Sequence, residues 1–423
     1  MHQESISRES LSHPSDRTCR FCGASLEYIF ADLGMSPLAN SYLARTQLHQ
    51  MEPFYPLRVR VCGECFLVQA EDFESPDHIF SEYAYFSSYS DSWLEHARAY
   101  VETAAVRFGL GPDSRVVEIA SNDGYLLQYF AAKKIPVVGV EPAANVAEEA
   151  RRKGIPTLVK FFGKETAHQM IEEGLQADLV VGNNVLAHVP GLNDFVAGLK
   201  LILKPDGVIT LEFPHLLRLL EENQFDTIYH EHFSYFSLLT AEKVLAAHDL
   251  KVFDVKELST HGGSLRVYAA HAENRSIDEQ STVSALRECE LRAGLACLDT
   301  YVAFAERVKE TKRRLLDFLI TMRRQGKSVV GYGAPAKGNT LLNYCGVGPD
   351  FIDYTVDRSP HKQGRWLPGT HIPIFHPDKL RETQPDFVLV LPWDLVEEVM
   401  EQMAHIREWG GRFVVPIPEV RIL

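Results

Sequence analysis

From Arg115 onward the chain alternates short, continuous apolar runs with longer mixed stretches, the rhythm of strands and helices taken in turn. Arg115-Val116-Val117-Glu118-Ile119 reads as a strand and leads to a helix from Tyr125. Pro136-Val137-Val138-Gly139-Val140 reads as the next strand, with a helix from Ala143. Further strands fall at Thr157-Leu158-Val159, at 177–181 (ADLVV) and at 207–212 (GVITLE). Such runs, apolar on both faces, are what a largely parallel sheet covered by helices demands. Residues 251–270 read as two strands around a Gly-rich loop, and 275–325 as helix with mixed charge. A second α/β unit opens at Ser328-Val329-Val330-Gly331-Tyr332-Gly333. Ahead of the first unit, residues 77–108 are rich in aromatics (Tyr83, Tyr85, Phe86, Tyr89, Trp93) and run on as a helix to about Phe108.

Composition narrows the class. At 423 residues the chain exceeds one ordinary core, so two or three domains are expected. Its 45% apolar and 24% charged residues are those of a globular protein in water. The net charge of −14, with no dense Lys/Arg stripe, argues against nucleic acid or anionic membrane as partners. No apolar run approaches the roughly twenty residues of a membrane helix. Residues 1–18 are polar without the apolar core of a signal peptide, and read as a disordered leader on a cytoplasmic protein.

Four of the seven cysteines form two CxxC pairs, Cys19/Cys22 and Cys62/Cys65. Two such knuckles fit tetrahedral thiolate ligation of Zn²⁺, with Gly23 and Gly63 as the tight-turn residues. Four thiolates leave no open position for water, so the zinc is structural. Disulfides and a redox CxxC are the competing readings, but no secretion signal and no thioredoxin-like pattern accompany them. Cys289, Cys297 and Cys345 are expected to be ordinary buried thiols.

Candidate chemistry concentrates at Tyr229-His230-Glu231-His232-Phe233-Ser234-Tyr235. Burying so many ionisable groups without partners is costly, so the block is either a reactive site or a satisfied polar network. The segment 116–124 (VVEIASNDG) reads as strand, turn and helix start. It resembles motif I of the S-adenosylmethionine-dependent methyltransferases, an acid followed by three alternating glycines. Glu118 and Gly124 match that form, while Ala120 and Asn122 occupy the other two places. Glu141, at the end of the second strand, suits a carboxylate accepting from ribose hydroxyls. Asn183 and Asn184 end the fourth strand, His188 follows, and Phe161 and Phe162 are adenine-flanking or core residues.

Together these blocks resemble the sugar C-methyltransferases that act on nucleotide-linked 4-keto deoxysugars in antibiotic and cell-surface glycan pathways. The resemblance takes in the two-knuckle module, Glu141-Pro142, the 229–237 block, His261-Gly262-Gly263-Ser264-Leu265-Arg266, and the run from Gly331 to Thr340. It implies an α/β fold with a zinc-binding module at 19–80, a class I methyltransferase domain at 81–272, a helical connector at 273–325 and a Rossmann-like domain at 326–423. It implies S-adenosylmethionine as cofactor, bound by Glu118, Ala120, Asn122, Gly124, Glu141 and Asn183, and structural zinc on the four cysteines. The partner implied is a small nucleotide-linked sugar, with no nucleic acid and no membrane, on a monomer or weak homo-oligomer. His232 is then the base that deprotonates the carbon beside the ketone, or an orienting donor. Tyr229 and Glu231 position it or stabilise the enolate, His188 approaches from the cofactor side, and Tyr83 closes over the site. His230 is expected to point away, since neighbours in an extended segment alternate faces. His261 borders the sugar or serves its turn. Lys337, with Asn339 on the same helix start, holds the diphosphate or is a turn residue. The rival reading is an NAD-dependent oxidoreductase using the G-x-G turn at 331–333 with Asp357, and a third is a non-catalytic zinc protein.

Overall fold

The computed structural model describes residues 17–73 and 87–423. An antiparallel meander of β1 (Tyr28–Ser36), β2 (Tyr55–Val61) and β3 (Val68–Ala70) forms the N-terminal module. Phe30, Ala31 and Leu33 of β1 are buried, while Tyr28, Ile29 and Met35 face outward.

The second sheet holds β4 (Val116–Ile119), β5 (Val137–Val140), β6 (Thr157–Leu158), β7 (Ala177–Asn183) and β8 (Leu203–Pro214) in parallel. After the two-residue β9 (Ser234–Tyr235), the antiparallel pair β10 (Leu250–Leu258) and β11 (Ser264–His271) completes it. The order β10-β11-β8-β7-β4-β5-β6 places its strand-order reversal between β4 and β7. A doubly wound sheet opens its ligand crevice there, at the carboxyl ends of the strands.

The third sheet repeats the plan. β12 (Val329–Tyr332), β13 (Thr355–Val356), β14 (Ile374–Phe375), β15 (Phe387–Val390) and β16 (Arg412–Val415) run parallel, and β17 (Arg421–Ile422) is antiparallel at the edge. The chain is thus an α/β protein, with a small cysteine-bearing module and two Rossmann-like units.

The module does not stand apart. β9 pairs with β3, Val68 opposite Tyr235 and Gln69 opposite Ser234, so the segment after His232 is a strand of the module's sheet. The helix Leu298–Arg324 buries Tyr301, Phe304, Val308, Thr311, Leu315 and Leu319, a stripe at helical spacing. It stops at Gly326, whose φ of 70° supplies the left-handed turn beyond a helix end. Phe304 stacks on Phe30 of β1 with centroids 4.6 Å apart. One continuous core therefore runs from Phe30 and Val59 through Tyr301 to Val388 and Phe413. Another joins Cys62 and Leu67 to Val117, Val180 and Leu211.

Candidate active site

The Sγ atoms of Cys19, Cys22, Cys62 and Cys65 all lie within 4.8 Å of one another. Cys19 and Cys65 are 3.6 Å apart and Cys22 and Cys62 are 3.5 Å apart. A tetrahedron with Zn–S near about 2.3 Å sets sulfurs at about 3.8 Å, so the quartet fits structural zinc. Each knuckle is closed by two backbone bonds: Gly23 N–H to the Cys19 carbonyl (2.9 Å) and Cys19 N–H to the Ala24 carbonyl (2.7 Å) in the first, and Phe66 N–H to the Cys62 carbonyl and Cys62 N–H to the Leu67 carbonyl (both 3.0 Å) in the second. Gly23 adopts φ 76° as expected, but the equivalent residue of the second knuckle is Phe66 at φ 65°, not Gly63. Gly63 instead makes room for the Tyr28 ring, 3.1 Å from where a Cβ would sit. Phe66 bears the left-handed backbone while its ring stacks on Tyr301. Of the remaining thiols, Cys345 is buried, Cys289 is half-buried and Cys297 is exposed, so the expectation of three buried thiols holds for Cys345 alone.

A cavity of ≈ 640 Å³ opens at the β4/β7 crevice and extends to the start of the helix Ala336–Cys345 in the C-terminal unit. At one end the loop after β4 carries φ of 57° at Ala120, 48° at Asn122 and 75° at Gly124. These are the three places where the motif has glycine, and at each the backbone is in the left-handed region that favours it, although Ala120 and Asn122 occupy two of them. At Gly124 a Cβ would lie 3.0 Å from the Ile155 side chain. Glu141 ties the loop down, its carboxylate accepting from Asn122 N–H (3.0 Å) and Ala143 N–H (2.9 Å). Burial raises the Glu141 carboxyl, and raises buried Glu118 well above the usual range. Ala120, Asn122, Glu141 and Asn183 line the cavity, whereas Glu118 and Gly124 stand behind its wall. The Asn183 side chain is buried, and neither its oxygen nor its nitrogen has a partner among the described residues. Buried amides are seldom left so. An unpartnered amide, a carboxylate and a left-handed loop together fit S-adenosylmethionine.

At the other end lie His188, Tyr229, Glu231 and His232. The His232 Nδ1–H donates to the Thr227 carbonyl and the His188 Nδ1–H to the Glu231 carbonyl, both at 2.8 Å. The two rings meet edge-on at 4.7 Å, and the Tyr229 ring lies 4.0 Å from that of His232. Burial depresses both imidazoles, His188 to about 4 and His232 well below its ordinary value. The acceptor that orients His232 is thus a backbone carbonyl and not the Glu231 carboxylate, which accepts from Asn40 Nδ2 at 2.7 Å. Burial pushes the Glu231 carboxyl up to about 7, with the Asn40 amide opposing.

His230 faces the other way, bonded to the Pro56 carbonyl at 3.2 Å with its ring against Tyr55. His261 lines the cavity and accepts at Nε2 from Asn184 Nδ2 at 3.0 Å. Lys337 lines it too, but its ammonium is paired with Asp394 and lies 4.5 Å from the Trp393 ring centroid. Asn339 is not at the cavity wall. It donates to the Ala39 carbonyl at 2.7 Å and fastens the C-terminal unit to the zinc module. Beside the G-x-G turn at 331–333, the Asp357 carboxylate accepts from Ala334 N–H and Ser359 N–H. Tyr83 lies outside the described residues. Sequence reasoning missed Asn40, Trp93 and Lys362, which also line the cavity, and the Thr227 carbonyl. Only Trp93, in the aromatic stretch, left any sequence signal.

Three family models cover nearly the whole chain. They are described as "Putative zinc binding domain" (residues 19–80), "Methyltransferase domain" (93–255) and "C-methyltransferase C-terminal domain" (259–418). The chain is 37% identical over 415 residues to the C-methyltransferase NovU of Streptomyces niveus, an alignment spanning 98% of each. It is 27% identical over 120 residues to a ubiquinone biosynthesis O-methyltransferase of Chelativorans sp. (strain BNC1), covering 26% of this chain and 47% of that one. Among solved structures, magnesium protoporphyrin IX methyltransferase from Synechocystis PCC 6803 with bound SAM overlays with a TM-score of 0.33 and 15% identity, over 46% of this chain and 88% of that one.

Proposed function

The chain belongs to the family of S-adenosylmethionine-dependent C-methyltransferases with an N-terminal zinc module, and from that premise we propose that its substrate is a dTDP-linked 4-keto deoxysugar. The methyl goes to a carbon beside the C4 ketone, C3 in preference and C5 as the second position, through an enolate. The observation that supports this reading is one cavity lined both by His188, Tyr229, Glu231 and His232 and by Ala120, Asn122, Glu141 and Asn183.

A carbon next to a ketone is acidic enough to give a carbanion equivalent, and the base must sit within hydrogen-bond reach of that hydrogen. His232 is the base. With its proton fixed on Nδ1 by the Thr227 carbonyl, its Nε2 holds the lone pair. Burial keeps the ring neutral before reaction, so accepting a proton is costly until the enolate charge develops beside it. The resulting imidazolium and enolate form an ion pair in a dry site, where attraction is strongest. Tyr229, packed on the His232 ring, donates toward the enolate oxygen. Glu231 and His188 complete the electrostatic wall, and Lys337 and His261 border the nucleotide and sugar. Glu141, Asn183 and the loop 120–124 would hold S-adenosylmethionine, which would supply an electrophilic methyl and leave as S-adenosylhomocysteine. Holding the two reactants in register is a large part of the rate.

Incubation with a panel of dTDP-4-keto deoxysugars in deuterated buffer, read by mass spectrometry, tests the assignment. Deuterium should enter at one ring carbon without cofactor, and the methyl should appear at that carbon with it. Tight NADH binding without S-adenosylmethionine binding would overturn it in favour of an oxidoreductase.

A further inference from the structure

The loop that precedes β2 reaches out of the zinc module into the cavity. Its Asn40 donates the side-chain amide to Glu231 Oε1 at 2.7 Å, and both residues line the cavity. The loop is held on the far side as well. Asn339 donates to the Ala39 carbonyl at 2.7 Å, the Tyr42 hydroxyl donates to the Ala334 carbonyl, and Leu43 and Trp366 exchange backbone bonds at 3.0 Å. Asn40 is therefore fixed by contacts from the C-terminal unit while it touches a carboxylate of the methyltransferase unit.

We propose that Asn40 is a positioning residue for the reaction: its amide orients the Glu231 carboxylate and keeps it ionised. This rests on the reading above only in taking Glu231 as a member of the reacting set. Glu231 is 4% exposed, and Asn40 is its carboxylate's hydrogen-bond donor among the described residues. Tyr42 lies beside it on the module loop, with Lys362 5.2 Å over the Tyr42 ring centroid and Asp357 3.8 Å from Lys362. His188, His232 and Tyr229 surround it from the methyltransferase side. None of these ion-pairs with Glu231, so the amide decides the balance. A donor to the charged form favours that form, and its loss raises the carboxyl further. With Glu231 already moved to about 7 by burial, that change falls within the working pH range.

The expected result is that Asn40→Ala moves the acidic limb of kcat/KM up by about one pH unit, the worth of a charge-assisted hydrogen bond. The loss is then about tenfold at low pH and is recovered near pH 9. Asn40→Asp, which adds a second acid at the same spot, shifts the limb further. Asn40→Ser keeps a shorter donor and lies between wild type and Asn40→Ala, which also guards against one variant failing to fold. A readout independent of substrate is the infrared carboxyl band of ¹³C-glutamate-labelled protein, with Glu231→Gln marking the band. Its midpoint should lie near neutrality in wild type and rise in Asn40→Ala. A uniform loss at every pH with an unmoved midpoint would make Asn40 a structural contact and overturn the proposal. If no dTDP sugar turns over in the wild type, the infrared comparison still decides the role of Asn40.

Discussion

His232 donates its Nδ1–H to the Thr227 carbonyl at 2.8 Å, which fixes the tautomer of the ring without any second ionisable group. A carbonyl can only accept, so Nε2 is left as the basic nitrogen. This separates two variants. His232→Asn places an amide donor near Nδ1 but has no lone-pair nitrogen at Nε2, and His232→Ala lacks both. We expect both to lose about 10²- to 10⁴-fold in deuterium wash-in. Only the alanine variant should also lose about 1–3 kcal/mol of stability, because the buried carbonyl is then unpaired. Full wash-in by His232→Asn, measured beside a urea titration, would remove His232 from the base role.

The loop after β4 makes a prediction of opposite sign at two positions. Gly124 is at φ 75° with Ile155 3.0 Å from any Cβ, so Gly124→Ala meets both backbone strain and a packed neighbour. A cost of about 1–2 kcal/mol is expected from the backbone alone. S-adenosylhomocysteine affinity should fall about tenfold by calorimetry. Ala120, at φ 57°, already bears that strain. Ala120→Gly should bind at least as well as wild type, and its stability should change by less than about 1 kcal/mol, relief of strain being offset by chain entropy.

Zinc removal should reach the reacting residues through backbone. β3 of the module pairs with β9, and Ala70 N–H donates to the Phe233 carbonyl at 3.0 Å, one residue beyond His232. Cys62 is buried in the core it shares with β4, β7 and β8. Cys62→Ser, or stripping with a chelator, is expected to cost several kcal/mol, since structural zinc contributes on the order of 10 kcal/mol. Turnover should be lost before S-adenosylhomocysteine binding weakens, because the cofactor end is built on β4, β5 and β7. Zinc release followed with a colorimetric reporter, beside both assays, checks the order. Full turnover by zinc-free protein would refute it.

The contacts that emerged only in three dimensions share a physical cause. The CxxC spacing, the apolar runs of β4, β5 and β7 and the 229–235 block carry local patterns, and local patterns survive in a linear sequence. Asn40 has no such pattern; its meaning comes from a hydrogen bond to a residue 191 positions away. Thr227 acts through its carbonyl, a group that every residue carries. The pairing of β9 with the module's sheet joins two-residue and three-residue strands, too short for any periodicity to register. Lys337 reads from sequence as a diphosphate-holding or turn residue at a helix start, and its pairing with Asp394 depends on the loop after β15, 57 positions away. Glycine is the usual occupant of a left-handed position, which points to Gly63 in the second knuckle, but the position belongs to Phe66, whose ring stacks on Tyr301.

The buried acid Glu212 on β8 yields the clearest pH dependence. It is fully buried, with His96 Nε2 3.0 Å from each of its oxygens, Arg266 in an ion pair and Thr260 donating at 3.1 Å. Burial by itself would raise its carboxyl, but the His96 bond and the Arg266 charge outweigh that and hold it down at about 2. An unfolded glutamate titrates near about 4.3. The folded value is the lower one, so the stabilisation is present above about pH 4.3 and is lost as pH falls toward 2. The difference corresponds to roughly 3 kcal/mol. Glu212→Gln should therefore be less stable than wild type at pH 7 and show a shallower decline below pH 4. Arg266→Met should flatten the slope, because the Arg266 charge and bond are lost while the His96 bond still favours the carboxylate, and it should cost about 3–5 kcal/mol at pH 7. Urea titrations at pH 3, 5 and 7 distinguish the three proteins, and an Arg266→Met slope like that of wild type would refute the assignment. The effect extends to the cavity, because His96 stacks under Trp93 at 5.0 Å and Trp93 leans on His261 at 5.1 Å. Arg266→Met should accordingly raise KM for the sugar more than it lowers kcat.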